Sequence, residues 1–231
     1  MPSRRRSILL PQLRHAAPRA VLEELRRAIL EGTVPPGTPI PLGEVAEHFQ
    51  VSHIPVREAL KTLVGEGLVD HQRHGGYSVA QLTAAELREI YIVRETLESA
   101  SLAAAVANAT DADRAAVVAV NDQLEQAIQR DDPVAYHRLS REFHHALTAP
   151  SRMYRLLRML ESAWNITEPV QPMVHVSHAD RAALHADHQE LVAAFLDSDV
   201  PRLLELSERH HGRLNDAIAK LPTDTGLLAD E

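Results

Sequence analysis

The chain has 231 residues, of which 24 are Lys or Arg and 32 are Asp or Glu, so its formal net charge at pH 7 is −8. This length suits one large domain or two ordinary ones, and the acidic balance argues against a uniformly basic nucleic-acid-binding protein. The absence of cysteine excludes disulfides and thiolate metal sites, and the absence of both a run of 18 apolar residues and a signal-like segment argues against a membrane or secreted protein.

The charge is unevenly divided along the chain. Residues 1–80 hold 10 Lys or Arg and 8 Asp or Glu, a net of +2, so the remaining residues carry a net of −10. This division suits a small nucleic-acid-binding domain attached to an acidic domain that does not bind nucleic acid. Residues 1–17 include Arg4, Arg5 and Arg6 and are predicted to form a flexible arm, which either touches phosphates or has no role.

Residues 18–80 are predicted to form three helices and a β-hairpin. An apolar stripe at helical spacing predicts the first helix, and residues 32–40, dense in Pro and Gly, predict the turn after it. A short second helix precedes Ser52, and a third follows it. Residues 71–79 have the pattern of a hairpin whose turn is Gly75-Gly76. Three helices and a hairpin make a winged helix.

The third helix is predicted to have an apolar back and a basic front. Ser52 is expected to cap it, because a serine side chain can accept from the first free amides of a helix. The apolar stripe consists of Val56, Ala59, Leu60 and Leu63. His53, Arg57 and Lys61 recur every fourth residue on another stripe. A helix lying in a DNA groove requires this arrangement, although an ordinary amphipathic surface helix has it too.

The segments "LRRAILEGTVPPGTPI", "VSHIPVREALKTLVGEGLVDH" and "GGYSV" resemble the DNA-binding domain of the GntR family of bacterial transcription regulators. The resemblance implies binding to a double-stranded, pseudo-palindromic operator. The residues expected to contact DNA are Ser52, His53, Arg57 and Lys61 around the third helix and Arg73 and His74 in the wing. The chain departs from the family at His53, where arginine is common, and at Gly43, where a second basic residue is common.

Residues 83–221 are predicted to form an antiparallel helical bundle, which is large enough to bury its own core. A capping box at Thr83 opens a helix that runs to about Ala107. Further helices are predicted to begin at Thr110, at Asp132-Pro133 and near Ser151, and the last two to cover residues 179–196 and 200–221. Residues 168–177 are predicted to form a loop.

The segments "IYIVRETLESASLAAAVANATDAD", "REFHHAL", "DHQELVAAFLDSDV" and "ERHHGRLNDAI" resemble the FCD ligand-sensing domain of the FadR subfamily. Together with the N-terminal segments, this resemblance spans roughly residues 18–220. It implies a homodimer in which the helical domains dimerise and bind a small effector while the two winged helices bind DNA.

Histidine carries the distinctive chemistry of the helical domain. Nine of the 14 histidines lie beyond residue 80, and six of them form three pairs: His144 with His145, His185 with His188, and His210 with His211. Neutral imidazoles on facing helices can hold a divalent metal. The resemblance assigns the ligands to His144, His188 and His210, for zinc, nickel or manganese. It places Ser140 where the family has an aspartate ligand. The alternative is a polar histidine cluster that binds a ligand directly or lines a cavity.

Arg94 is the second candidate ligand-binding residue. The resemblance implies that it anchors a carboxylate effector, because a guanidinium recognises carboxylate through bidentate geometry. The alternative is an ion pair with Glu98, four residues later in the same helix. Ser140 is included in the ligand-binding set because it would face the same site.

The sequence therefore predicts a mostly α-helical protein with an N-terminal winged helix-turn-helix and a C-terminal antiparallel helical bundle of the FCD type. Its expected function is that of a cytoplasmic, homodimeric transcription regulator, a repressor that senses a small carboxylate and has no enzymatic activity. One alternative is a histidine-rich metal-dependent hydrolase with Glu142 or Asp187 as general base, although no H-E-x-x-H motif is present. The other is a ligand-independent DNA-binding protein, which would leave the histidines unexplained.

Overall fold

The computed structural model describes residues 18–73, 75–221 and 228–229, which divide into two compact units. The first unit holds the described residues up to Thr83 together with Glu168–Val170 and residues 228–229. The second holds Ala84–Thr167 and residues 171–221. The fold class is confirmed as a winged helix followed by a helical domain. The predicted arm, residues 1–17, and the wing residue His74 lie outside the described residues.

The first unit folds around one aliphatic core. Its elements are α1 (Pro18–Leu30), α2 (Leu42–Phe49), α3 (His53–Gly65), β1 (Val69–Gln72) and β2 (Gly76–Val79). Each helix turns its apolar stripe inward, so that Val21, Phe49 and Leu60 are completely buried. At the end of α3, Gly67 has a positive φ of 75°, which turns the chain towards β1 at no steric cost to a residue without Cβ.

The wing differs in detail from the prediction. β1 begins at Val69, and its last residue, Gln72, pairs with Gly76, the first residue of the antiparallel strand β2. The predicted Gly75-Gly76 turn was therefore wrong, because Gly76 already belongs to β2. Gly76 has φ 80°, a conformation that glycine adopts without the steric cost of a Cβ. Two adjacent glycines made the shorter turn look equally good in the sequence.

The second unit is a helical bundle. Its elements are α4 (Ala84–Asn108), α5 (Asp111–Gln129), α6 (Pro133–Thr148), α7 (Tyr154–Thr167), α8 (Pro172–His175), α9 (His178–Leu196) and α10 (Val200–Ile218). The predicted starts of α5 and α6 are confirmed: Thr110 and Asp113 form a capping box, and the Asp132 side chain accepts from the backbone N–H of Ala135 at 2.9 Å. α4 packs against α6, α7 and α10 and is thereby central to the bundle.

Three boundaries in the second half of the chain differ from the prediction. α7 begins at Tyr154, because a 3-10 turn at Ala149–Ser151 and a left-handed Arg152 precede it. The predicted loop contains a 3-10 turn at Glu168–Val170 and the short helix α8, which Pro172 starts at a position where its missing N–H costs nothing. α10 ends at Ile218 rather than near residue 221. Across the described residues, every helix is either too short or too polar to cross a lipid bilayer.

Candidate functional site

The helix α3 has the two faces that its sequence predicts. Val56, Ala59, Leu60 and Leu63 are buried against the core of the first unit. His53, Arg57 and Lys61 are exposed on the other side, where Lys61 Nζ lies 2.9 Å from Glu58 Oε1. Ser52 is the N-cap residue, but its side chain makes no capping hydrogen bond, contrary to the prediction. With ψ 168° its backbone is extended, and its exposed hydroxyl can meet a phosphate instead.

An apolar side chain stands among these polar ones. Ile54, the second residue of α3, is 73% exposed, the largest exposure among the large hydrophobic side chains in the described part of the chain. It falls outside the buried stripe and beside His53. An exposed aliphatic group on a DNA-reading face can contact a thymine methyl group. Ile54 is not among the residues that the sequence predicted to contact DNA, although its position outside the apolar stripe was a usable signal.

The wing borders the same face. Arg73 is exposed in the turn between β1 and β2, and His74 is outside the described residues. Arg57 lines an open cleft of about 570 Å³ together with His71 and Tyr77, whose rings pair across the two strands at 4.4 Å. The helix α3 and the wing thus share one surface of the first unit.

The second unit brings the three predicted metal ligands together. His144 lies on α6, His188 on α9 and His210 on α10, and all three are buried. One ring nitrogen from each lies within 4.8 Å of the others. Three nitrogens bound at 2.0–2.1 Å to one zinc ion would be about 3.3 Å apart, so the three nitrogens would have to approach one another to hold an ion.

The histidine nitrogens are chemically suited to a metal. Both ring nitrogens of His188 and Nδ1 of His210 are buried without a hydrogen-bond partner in the described part of the chain, a state that costs about 1–3 kcal/mol per group. Burial lowers the pKa of His188 well below 6.5, and repulsion from His210 and His144 lowers it further. Burial also lowers the pKa of His210 to about 3. This lowering by burial is larger than the rise in pKa caused by Asp187, whose Oδ2 lies 3.7 Å from His210 Nδ1. Neutral imidazoles at pH 7 present the lone pairs that a metal requires.

Arg94 lies in the same buried region, on α4. Its guanidinium carbon is 3.1 Å from the centroid of the Trp164 ring, and the Trp164 ring is 5.6 Å from the ring of His144. Nε and Nη1 of Arg94 are buried without a hydrogen-bond partner among the described residues. The alternative partner, Glu98, is near but not bonded, because its Oε1 lies 4.0 Å from Nε. Arg94 therefore retains donors for a carboxylate.

Glu98 is a buried residue whose partners the sequence did not reveal. Its Oε2 lies 2.7 Å from His144 Nδ1 and 3.3 Å from His211 Nε2. Burial raises the pKa of Glu98, but the charges and hydrogen bonds of His144 and His211 outweigh it and hold the pKa well below 4.5. The only sequence signal was its spacing from Arg94, which suggested a different partner.

The other histidines of the three pairs, His145, His185 and His211, differ in burial. His145 is exposed, as expected for a surface residue. His185 and His211 are buried behind the three central histidines, His185 against Glu125 at 2.8 Å and His211 against the backbone oxygen of Ser207 at 2.8 Å. Ser140, which the resemblance places at the family's aspartate position, is buried one helical turn before His144 on α6 and carries no charge.

The two candidate general bases, Glu142 and Asp187, are both paired with arginine. Glu142 pairs with Arg138 at 2.5 Å on the exposed side of α6. Asp187 is buried, but its Oδ2 accepts from Arg213 Nε at 2.8 Å and its Oδ1 from Arg209 at 3.2 Å. A carboxylate bound to arginine is a poor base because the cation stabilises its ionised form. These contacts disfavour the hydrolase alternative.

Two family models match the chain. The model of bacterial regulatory proteins of the gntR family matches residues 18–79, and the FCD domain model matches residues 89–213. The HTH-type transcriptional regulator YdhC of Bacillus subtilis (strain 168) is 30% identical over 139 residues, which cover 60% of this chain and 62%, less than two thirds, of YdhC. The HTH-type transcriptional repressor GlaR of Escherichia coli (strain K12) is 27% identical over 196 residues, 80% of this chain and 88% of GlaR.

A solved structure has the same fold. Escherichia coli McbR/YncC superposes with a TM-score of 0.75 at 24% identity, over 87% of this chain and 96% of that one. At this identity the likeness supports the architecture alone. The relatives named here are described as transcription regulators, and none is described as an enzyme.

Proposed function

The chain belongs to the GntR family of bacterial transcription regulators and carries an FCD domain, and from that premise we propose that it is a homodimeric repressor that senses a small carboxylate. As a DNA-binding regulator it would act in the cytoplasm. The observation that carries the sensing proposal is the set of three buried histidines with unpartnered nitrogens, next to the unpartnered donors of Arg94.

The winged helix would bind one half of a pseudo-palindromic operator. The first unit offers His53, Arg57 and Lys61 on α3, with Ser52 at its start and Arg73 in the wing. A guanidinium can bond two acceptors of a guanine edge, whereas a lysine serves a phosphate as a point charge. A two-fold dimer would present the same surface to both half-sites. GlaR, a repressor by description, favours repression over activation.

The helical domain would hold the effector at the histidine site. His144, His188 and His210 would hold zinc, nickel or manganese, with Ser140 beside them. Three neutral ligands leave positions at the ion open to water or an effector oxygen. Arg94 would orient the carboxylate through an unpartnered guanidinium N–H, and Trp164 would keep the guanidinium in place by stacking. Because Ser140 contributes no charge, we expect weaker metal binding than in relatives with aspartate there.

Two measurements test this proposal together. Elemental analysis of protein purified without chelator, and again after incubation with zinc, nickel or manganese, should find about one ion per chain. Thermal shift against a panel of small carboxylates should then find a ligand that raises Tm, and a gel shift on the DNA upstream of the protein's own gene should show that this ligand releases the DNA. Stabilisation by a carboxylate without any metal would leave direct binding by histidine and Arg94. DNA binding unaffected by every stabilising ligand would remove the sensing role.

A further inference from the structure

A buried carboxylate lies behind the histidine site. Glu98 is in the middle of α4 and 2% exposed, and its Oε2 approaches His144 on α6 and His211 on α10. The contact with His144 Nδ1, at 2.7 Å, has the length of a strong charge-assisted hydrogen bond. Three helices of the bundle thus meet at one carboxylate.

The Glu98 carboxylate is within hydrogen-bonding distance of His144 but not of Arg94. Its distance to Arg94 Nε is 4.0 Å, and both Nε and Oε1 lack a hydrogen-bond partner in the described residues. An ion pair built for stability would close this gap, because a buried charge without a close partner is costly. The short contact of Glu98 is therefore the one to His144.

The geometry fixes which nitrogen of His144 is free. A hydrogen bond from Nδ1–H to the carboxylate leaves the lone pair on Nε2, on the opposite side of the ring. The ring of His144 lies 5.3 Å from that of His188 and 5.2 Å from that of His210. Carboxylates that accept from a metal-binding histidine fix its tautomer and raise its basicity.

We propose that Glu98 is a positioning residue for the histidine site. It holds His144 as the Nδ1–H tautomer, so that Nε2 is the ligand atom. It also supplies, at the Nδ1 side of the ring, a negative charge that Ser140 cannot supply. The proposal rests on the metal site proposed above. It assigns the charge compensation of that site to α4, the helix that also carries Arg94.

The test uses a matched pair of variants. Glu98→Gln keeps an oxygen that can accept from His144, removes the charge and replaces the second carboxylate oxygen by an amide NH2. Glu125→Gln makes the same change at a carboxylate bonded at 2.8 Å to His185, which is not a proposed ligand. Titration calorimetry of the metal-free full-length protein with zinc should show affinity reduced about 10–100-fold for Glu98→Gln and unchanged for Glu125→Gln. The visible spectrum with Co²⁺ in place of zinc should change only in Glu98→Gln.

A second measurement needs neither a metal nor a Glu98 variant. Nitrogen-15 NMR of the metal-free wild-type protein should show His144 as the Nδ1–H tautomer, with its signals assigned by their loss in His144→Gln. An Nε2–H tautomer would overturn the proposal even if Glu98→Gln fails to fold. Equal zinc affinity in wild type and Glu98→Gln would overturn it while leaving the metal site intact. Wild-type protein that binds no metal would instead overturn the metal site itself, and the role of Glu98 with it.

Discussion

Replacing Arg57 by alanine should weaken operator binding without affecting the fold. The side chain is exposed on α3, next to the wing, and has no ion pair within the described residues, so its loss should change the free energy of unfolding by less than about 0.5 kcal/mol. A bidentate contact with a guanine edge is worth about 1–3 kcal/mol. Because 1.4 kcal/mol is a factor of ten in affinity, we expect a loss of about 5- to 150-fold.

Lys61→Ala is the matched control. Lys61 is one turn further along the same face, but its ammonium is paired with Glu58 at 2.9 Å, so it would act on a phosphate at most. We expect its removal to weaken binding to all sequences equally and to reduce the salt slope by about one. Arg57→Ala should in addition relax the base preference at one position of each half-site.

The assay is fluorescence anisotropy on operators selected from a random duplex pool, measured at several salt concentrations. Arg57→Ala protein with wild-type Tm and unchanged affinity would refute the assignment of α3 as the reading helix. An equal, sequence-independent loss in both variants would show that Arg57 contacts a phosphate rather than a base edge.

Four further predictions concern assembly, metal, pH and specificity. Sedimentation should show a dimer at micromolar concentration that binds half-sites about 10 bp apart; a monomer both free and on DNA would contradict it. His188→Ala should abolish zinc uptake in elemental analysis and the exposed control His145→Ala should not, so equal metal content in both would exclude His188 as a ligand. In metal-free protein, the pKa values of His188 and His210 are lowered, so below pH 6.5 these two histidines become protonated in the unfolded chain but stay neutral in the folded chain. Urea denaturation should therefore show stability falling from pH 6.5 to about 5, by up to about 1.4 kcal/mol per pH unit for each histidine. The raised pKa of His211, which Glu98 maintains against burial, gives stability that is full below pH 6.5 and is lost as the pH rises through the folded-state pKa. Stability that does not rise between about pH 5 and 6.5 would contradict the sign for His188 and His210, and stability that keeps rising to about pH 9 would contradict the sign for His211. Ile54→Ala should weaken binding about four-fold, the equivalent of about 0.8 kcal/mol for the one methyl group placed against thymine, and uracil in place of the contacted thymine should remove the same increment. Additive losses would show that Ile54 does not touch that methyl group.

Local signals in the sequence predicted most of the fold. The apolar stripe of α3, the start of α5 at Thr110 and the Asp132-Pro133 start of α6 each depend on residues within one or two helical turns, where residue spacing determines the geometry. The wing turn was displaced by one residue because a two-residue and a three-residue loop can both use Gly75 and Gly76. Only strand pairing, which is set by tertiary contacts, distinguishes the two.

In the histidine site, too, some residues could be predicted from the sequence, whereas the role of others depends on contacts between distant segments of the chain. Resemblance to the family placed His144, His188 and His210, and the structure brings their nitrogens together. The role of Glu98 depends on contacts among three helices that are far apart in the sequence, whereas its spacing pointed only to Arg94. Spacing along the sequence predicts contacts between residues on one face of a helix, but it does not predict contacts between different helices of a bundle.

The position of the three proposed ligands on three different helices also limits how the protein could respond to the proposed effector. Nitrogens up to 4.8 Å apart would have to approach to about 3.3 Å around one ion, which favours one arrangement of α6, α9 and α10. An effector changes DNA binding only to the extent that it prefers one arrangement, and a change from 1:99 to 99:1 requires about a 10⁴-fold preference. A carboxylate that bound through Arg94 alone would contact a single helix, α4, and would have little means of distinguishing the arrangements. Contact with both Arg94 and the histidine site joins α4 to the three ligand helices, so the switch requires an effector that reaches both.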